Sequence, residues 1–394
     1  MAHKRFVLFY LLFTLLMGLP FLTNFLFILR AGENLSIKEI VHRQRERDYL
    51  YGTAFNDVEY AYKLELVRTV KPRIVVLGSS RVLHFREEYF SVPFVNCGRV
   101  VPNIQAGKEF LEKMLSVHKP EVILLGLDFW WFRYDSNRQR EGHADFRDTG
   151  TTTTFSKLTA PFRYLRDGKL SALDYAGVIL SGAHASNPLA RMGGIGLDGI
   201  LRSTGFRKDG SYFHGKIYMG VEPRDVGFSN TLHRIRTGTD RFEYGSSLDD
   251  ARLEALDDML ALCRENNVRI ILFIPPLAGA VLDEMNGLGD KYAYLDALYA
   301  HLRNRGDGFF NFQDAFRAVG SPDCEFMDGF HGGEVTTQRI LTAMAQTDET
   351  LRSMVDLEAM AASIESNAGH ALALFDPDIY KARETDFLEL GCSK

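Results

Sequence analysis

The chain has 394 residues, an apolar share of 46% and a formal net charge of −5. It is too hydrophobic to be disordered and long enough for a full α/β core carrying an insertion, and its interspersed charges offer no basic field for gripping nucleic acid. Cys97, Cys263, Cys324 and Cys392 show neither C-x-x-C nor zinc-like spacing, which argues against a metal-binding or disulfide framework while leaving room for a single bond.

From Phe6 to Leu29 there is no charged residue, with Lys4 and Arg5 before the run and Arg30 after it. The run exceeds the ~20 residues needed to cross a bilayer and outlasts the apolar core of a signal peptide. Residues 1–30 are therefore expected to form an uncleaved transmembrane anchor, with Pro20 tolerated inside it. Lys4 and Arg5 favour a cytoplasmic amino terminus, against a weaker pull from Arg30 and Lys38. That orientation puts the rest of the chain on the extracytoplasmic (periplasmic) side of the inner or cytoplasmic membrane. A cleaved secretory signal is the alternative and would export the same domain.

Residues 31–70 read as a stalk and packing helices. Ser36-x-x-Glu39 is a capping-box pattern that opens a charged helix through about Tyr49, and a second helix from about Asp57 to Val70 places Leu64 and Val67 on one side. Arg73-Ile-Val-Val-Leu-Gly-Ser-Ser-Arg81 follows. Its β-branched run ends at a glycine and two serines, the pattern of a buried parallel strand that delivers Ser80 onto a tight turn. Phe94 to Gly98 and Val122 to Leu127 are further strands, separated by a helix with Gly107, Phe110, Leu111 and Met114 on one face. The strand-helix-strand rhythm implies right-handed parallel crossovers.

Between about residues 132 and 246 the rhythm is lost, and one helix is expected, near Leu170 to Leu180. So long a span reads as an insertion covering the carboxyl edge of the sheet. It contains Gly194-Ile-Gly-Leu-Asp-Gly199, a literal G-x-G-x-x-G without the strand and helix that a dinucleotide site requires, so its glycines are read as turn residues. Thr151 to Thr154 read as a solvated connector. Regularity resumes where Ser247-x-x-Asp250 caps a helix burying Leu253, Leu256, Leu260 and Cys263; the Gly245-Ser-Ser247 tripeptide is assigned to capping, not to a second nucleophile. Val268 to Ile274 is a strand stopped by Pro275-Pro276, then come a helix near Tyr292 to Leu302 and a strand from Phe309 to Phe312. Asp328-Gly-Phe-His331 falls in a loop before a helix marked by Ile340, Leu341 and Met344.

In an open α/β sheet, ligands bind beyond the carboxyl ends of the strands, where Ser80 and the Asp328–His331 loop both fall. Histidine can take the serine proton near neutral pH, and a carboxylate can hold the imidazole in the needed tautomer. Ser80, His331 and Asp328 are the expected nucleophile, base and orienting acid, with Ser79 available to satisfy backbone amides. His331 has other readings, as a surface residue or, with Asp328 and Glu334, as part of a metal cluster.

A serine at the end of the first strand and an Asp-x-x-His near the end of the domain resemble the SGNH (GDSL-like) hydrolase superfamily, in its membrane-anchored branch with Gly-Ser-Ser in place of Gly-Asp-Ser. The resemblance runs from about Lys71 to Gln346, outside most of the insertion, and extends to alginate-type polysaccharide O-acetyltransferases and to the D-alanine-transfer protein of teichoic acid modification. It implies a flavodoxin-like three-layer α/β sandwich with a parallel sheet over residues 71–346, a C-terminal extension over 347–394, and neither cofactor nor metal. It also implies a cell-envelope O-acyltransferase, acetyl being the expected group, that works through an acyl-serine on a surface polysaccharide beside a multi-spanning (MBOAT-like) acyl-transporting membrane protein. The oxyanion donors it implies are the backbone N–H of Ser80, that of Gly98 and an asparagine in the third block, where this chain has Asp128; Asn96 and Asn103 are the candidate replacements. Trp130, Trp131, Tyr212 and Tyr218 are candidates for stacking on sugar rings or for core packing. An extracytoplasmic carbohydrate esterase with the same triad, or a non-catalytic scaffold or glycan-binding subunit, are the other functional classes left open.

Overall fold

The run Ile74-Val-Val-Leu-Gly78 is apolar at every position, and a strand of that kind needs cover on both faces. A computed structural model describes residues 2–135, 143–182, 193–218, 222–305, 308–373, 386 and 388–392. In it this run is β1 of a five-stranded sheet, followed by β2 (Phe94–Gly98), β3 (Val122–Gly126), β4 (Arg269–Ile274) and β5 (Phe309–Asn311). All pairings are parallel, in the spatial order β2-β1-β3-β4-β5. Gly78 pairs with Gly98, Leu77 with Leu125, Gly126 with Phe273 and Ile274 with Asn311, so the strands end nearly level. The chain steps outward from β1 to β2 and then returns past β1 to β3. That reversal opens the crevice of a switched sheet at the carboxyl end of β1.

Strand alternation sorts the core into two layers. Ile74, Val76, Phe94, Leu124, Ile271 and Phe273 pack with Ile340, Leu341 and Met344 of the helix Glu334–Thr347. On the opposite face lie the helices Glu59–Val70, Ile104–Val117 and Asp250–Glu265, with Val67, Phe110, Met114, Leu256 and Cys263 buried. The last of these helices is capped by Asp249, whose side chain accepts from the Ala251 N–H, and not by Ser247 as expected.

The chain forms two compact units whose boundaries differ from those expected. The sheet belongs to a unit of Glu59–Phe146, Asp209–Tyr212 and Gly220–Lys394; the other comprises Met1–Val58, Arg147–Lys208 and Phe213–Met219. The segment read as a stalk is thus part of a folded unit. Its helix Ile37–Glu46, capped by Ser36, ends before Tyr49 and buries Ile37, Ile40, Val41 and Gln44, whose amide donates to the carbonyls of Tyr49 and Phe206. Most of the insertion joins this unit, which also holds α1 (Ala2–Arg30), α2 (Phe155–Arg166) and α3 (Ala172–Ser181). The helix α1 is long and apolar enough to cross a membrane, and Pro20 sits within it. The last of the four threonines, Thr154, caps α2 by accepting from the Lys157 N–H at 3.1 Å.

The glycine motif has more regular surroundings than its sequence suggested. Gly194–Ile195 is a short strand parallel to Leu50–Tyr51, and Leu197–Arg202 is a helix. Its exposed amides are already used: the Leu197 N–H donates to Glu33 Oε1 at 2.9 Å, and those of Asp198 and Gly199 donate to the Gly52 carbonyl. Glu33 therefore occupies the place a phosphate would need. Gly196 adopts a φ of 82°, and a Cβ there would strike the backbone of Gly52.

Candidate active site

Beyond β1 the chain turns at once. Ser79 caps a short 3-10 turn, Ser80–Val82, through its Oγ, which accepts from the Arg81 N–H at 3.2 Å. Gly78 cannot carry a side chain here, since a Cβ would lie 2.8 Å from a methyl of Val82. Ser79 thus satisfies the turn, and Ser80 is left to face across the crevice.

Opposite it, Phe326–Asp328 and His331–Gly332 form a small antiparallel ladder in which Asp328 and His331 are direct partners. Cross-strand partners share a face, which is why a three-residue spacing can bring carboxylate and imidazole together. Gly329 at the tip lies where a Cβ would be 2.7 Å from atoms of Thr231 and Val281. The Asp225 carboxylate, accepting from Thr231 Oγ1 at 2.6 Å and from the Gly329 N–H at 3.3 Å, ties this loop to the segment Ser229–Thr237.

The three side chains meet in sequence. Ser80 Oγ is 2.9 Å from His331 Nε2, and His331 Nδ1 is 2.7 Å from Asp328 Oδ2. The other Asp328 oxygen accepts from the backbone N–H groups of Phe330 at 2.9 Å and His331 at 2.8 Å. Burial alone would raise this carboxyl, but His331 and the two N–H groups outweigh it and hold the acid down to about 2. An ionised carboxylate only accepts, so Nδ1 is the donor and Nε2 is left facing the serine hydroxyl as acceptor.

Arg81 is the residue that sequence reasoning passed over. Its guanidinium is buried and donates to the carbonyls of Phe330 (2.9 Å), Pro275 (2.7 Å) and Pro276 (2.7 Å) and to Asp128 Oδ1 (3.1 Å). One side chain thereby joins the nucleophile turn, the ends of β3 and β4, and the loop that carries His331. The only sequence signal for it was an arginine directly after the serine, and its acceptors come from segments far apart in the chain.

The expected oxyanion set assembles only in part. Ser80 opens the 3-10 turn, where the first N–H groups have no partner within the turn. The Gly98 N–H, in contrast, donates to Asn96 Oδ1 at 2.7 Å, so it is committed within its own strand. The Asn96 amide is fixed as well, donating to the carbonyls of Val82 (2.7 Å) and Phe85 (2.9 Å), and Asn103 Oδ1 caps the helix Ile104–Val117. Asp128 is fully buried against Arg81; burial pushes its carboxyl up, opposed by Arg81 and by the Ser79 hydroxyl. It forms half of a buried ion pair and stands in no position to donate to an oxyanion. Glu334 is drawn to Arg86 at 3.1 Å and accepts from the Ala373 N–H, which accounts for a carboxylate three residues beyond His331 without a metal.

The rim beside the triad is aromatic and cationic. The half-buried Trp130 ring lies 5.4 Å from the Arg81 guanidinium and 5.7 Å from that of Arg241. Phe330, next to His331, carries Arg234 at 5.5 Å and Arg241 at 5.8 Å. Trp131 is buried in the core, Tyr212 is half-buried under Arg99 at 5.6 Å, and the side chain of Tyr218 lies outside the described residues. Comparison of the chain with protein-family models and with curated proteins gives no match.

Proposed function

We propose that the chain is a membrane-anchored serine acyltransferase of the SGNH type, with a flavodoxin-like catalytic domain, that acylates an envelope polysaccharide outside the cytoplasm. The observation that carries this reading is the Ser80–His331–Asp328 relay, with its 2.9 Å and 2.7 Å links, at the switch point of a parallel sheet in the order 2-1-3-4-5.

In the proposed reaction, Ser80 Oγ attacks the carbonyl of an acyl donor while His331 Nε2 takes the hydroxyl proton. Asp328 stabilises the imidazolium, and the Ser80 N–H, at the start of the 3-10 turn, faces the developing oxyanion. Collapse expels the donor's leaving group, which takes the proton from His331, and leaves an acyl-serine. A sugar hydroxyl then gives its proton to His331 and attacks the ester; the acyl–Oγ bond breaks, His331 returns the proton to Ser80 Oγ, and the acylated sugar leaves. The half-buried Trp130, with Arg241 beside it and the buried Phe330 behind, suits the apolar face of a sugar ring bearing negative groups.

Two features support the location. The helix α1 can hold the chain at a bilayer. Cys324 and Cys392 form a disulfide with Cα atoms 5.9 Å apart, and such bonds persist in oxidising compartments. Tethering would place the enzyme beside an MBOAT-like acyl-transporting protein, where local concentration of the donor favours transfer.

The test is an assay of the purified full chain with a chromogenic acetyl ester, with and without an acceptor oligosaccharide. Transfer predicts an acylated oligosaccharide that is lost in Ser80→Ala. Ester cleavage with no acylated acceptor would replace the transferase by the esterase reading, and no turnover by either route would leave the scaffold reading.

A further inference from the structure

Helix α3 carries apolar residues on two faces, with Asp174 and Ser181 on the flank between them. Tyr175, Val178 and Ile179 face the protein, where Val178 packs with Phe27 of α1 and with Ala31 just past its end. The opposite side presents Leu173, Ala176 and Leu180 at helical spacing, with Leu173 85% and Leu180 82% exposed. A second apolar face left this exposed belongs against protein or lipid, and a 10-residue helix of ~15 Å is too short to cross a bilayer.

Helix α2 shows where this surface sits along α1. The Phe21 ring lies 6.2 Å from Phe155 and 6.1 Å from Phe162. Those two phenylalanines are two turns apart on α2, so the middle of α2 meets α1 at the level of Phe21. Asn24 fixes this contact: its amide donates to the Leu158 carbonyl at 2.9 Å and accepts from the Tyr175 hydroxyl at 2.8 Å. At a rise of ~1.5 Å per residue, Phe21 and Asn24 lie about 22 and 27 Å from Phe6, near the far boundary of a ~30 Å hydrocarbon core. Phe155, 73% exposed, points outward at this level. Exposed cations follow: Arg30 at the end of α1, Arg163 and Arg166 on α2, and Lys169 in the turn to α3, against Asp167, which pairs with Arg166.

We propose that α2 and α3 form a collar around the emerging end of α1 that seats in a lipid leaflet, with Phe155, Leu173 and Leu180 among the acyl chains and Arg30, Arg163 and Lys169 at anionic headgroups. The proposal rests on α1 being a membrane anchor. It makes residues 155–181 of the insertion a membrane seat, where sequence reasoning had them cover the sheet.

The test uses the full chain in nanodiscs of mixed phosphatidylcholine and phosphatidylglycerol, with a nitroxide attached singly at Phe155→Cys, Leu173→Cys or Leu180→Cys. Leu11→Cys, within the uncharged run of α1, and Arg45→Cys, on an exposed face, serve as references; Cys97 and Cys263 are buried. Collisional relaxation by oxygen reports lipid, and relaxation by a nickel chelate reports water. The collar predicts an oxygen-to-nickel ratio at the three sites several-fold above that at Arg45→Cys and approaching that at Leu11→Cys. Nickel access at Leu173 and Leu180 while Leu11 reads as lipid overturns the collar and leaves the anchor. Shielding from both reagents means protein covers these side chains and overturns it too. If Leu11 itself reads as water, both the anchor and the collar fall.

Discussion

Replacing Arg81 with methionine tests the view that one guanidinium holds the candidate site together. Both Arg81 and Asp128 have side chains only 1% exposed, and their ion pair is accompanied by donation to three carbonyls. Arg81→Met leaves Asp128 buried without its counter-ion, a situation that costs about 3–5 kcal/mol. At roughly 2–4 °C per kcal/mol for a domain of this size, the unfolding midpoint should fall by roughly 6–20 °C. Removing both charges in Arg81→Met with Asp128→Leu should recover about half of that loss, because no buried charge is then left alone. Unfolding of the detergent-solubilised full chain can be followed by tryptophan fluorescence, since Trp130 and Trp131 are the two tryptophans of the chain and lie two and three residues after Asp128. An Arg81→Met protein within about 1 kcal/mol of the parent would refute the staple, because the buried pair would then be worth no more than a surface contact.

Two further predictions concern the site and its compartment. The Asp328 carboxyl is held near 2 when folded against an ordinary value of 3.8, so its folded form is favoured by about 2 kcal/mol above pH ~4, and that contribution is lost as pH falls from about 4 towards 2. Asp328→Asn should flatten the stability curve in this window and lower acyl transfer by about 10⁴-fold; an unchanged curve and rate would contradict the assigned role. Cys324 and Cys392 are 68 residues apart, a loop whose closure is worth about 4 kcal/mol in the chain-entropy account. Peptide mapping without reduction should recover the linked pair, and full alkylation of both thiols in the native protein would remove the argument for an oxidising compartment.

What could be read from the sequence was local. The strand at Ile74, the serine turn and the Asp-x-x-His spacing each declare themselves within a few residues, because burial on two faces, a tight turn and a ladder partner constrain neighbours. The Ser36 cap and the uncharged run of α1 are legible for the same reason. The unit built by α1, Leu50–Tyr51 and residues 147–208 was not, since its strands are two or three residues long and are held by contacts between distant segments: Glu33 accepting from Leu197 and Ala54, and Gly196 pressed against Gly52. Helix α2, capped by Thr154 and with Pro161 inside it, was not expected, since one helix alone was anticipated in the insertion, near Leu170 to Leu180. The expected Gly98 donor and the puzzling Asp128 share one explanation, for each is engaged by a side chain, Asn96 or Arg81, that no short motif reveals.

The proposed function stands or falls with Ser80 as a nucleophile activated by His331. Intact-protein and peptide mass spectrometry after treatment of the full chain with a serine-directed phosphonate measures it most directly. An activated Ser80 should give a single adduct on the peptide that contains it, absent in Ser80→Ala, strongly reduced in His331→Ala and retained in part by Ser79→Ala. An adduct formed equally by Ser80→Ala and the parent, or no adduct on a folded parent protein, would contradict it.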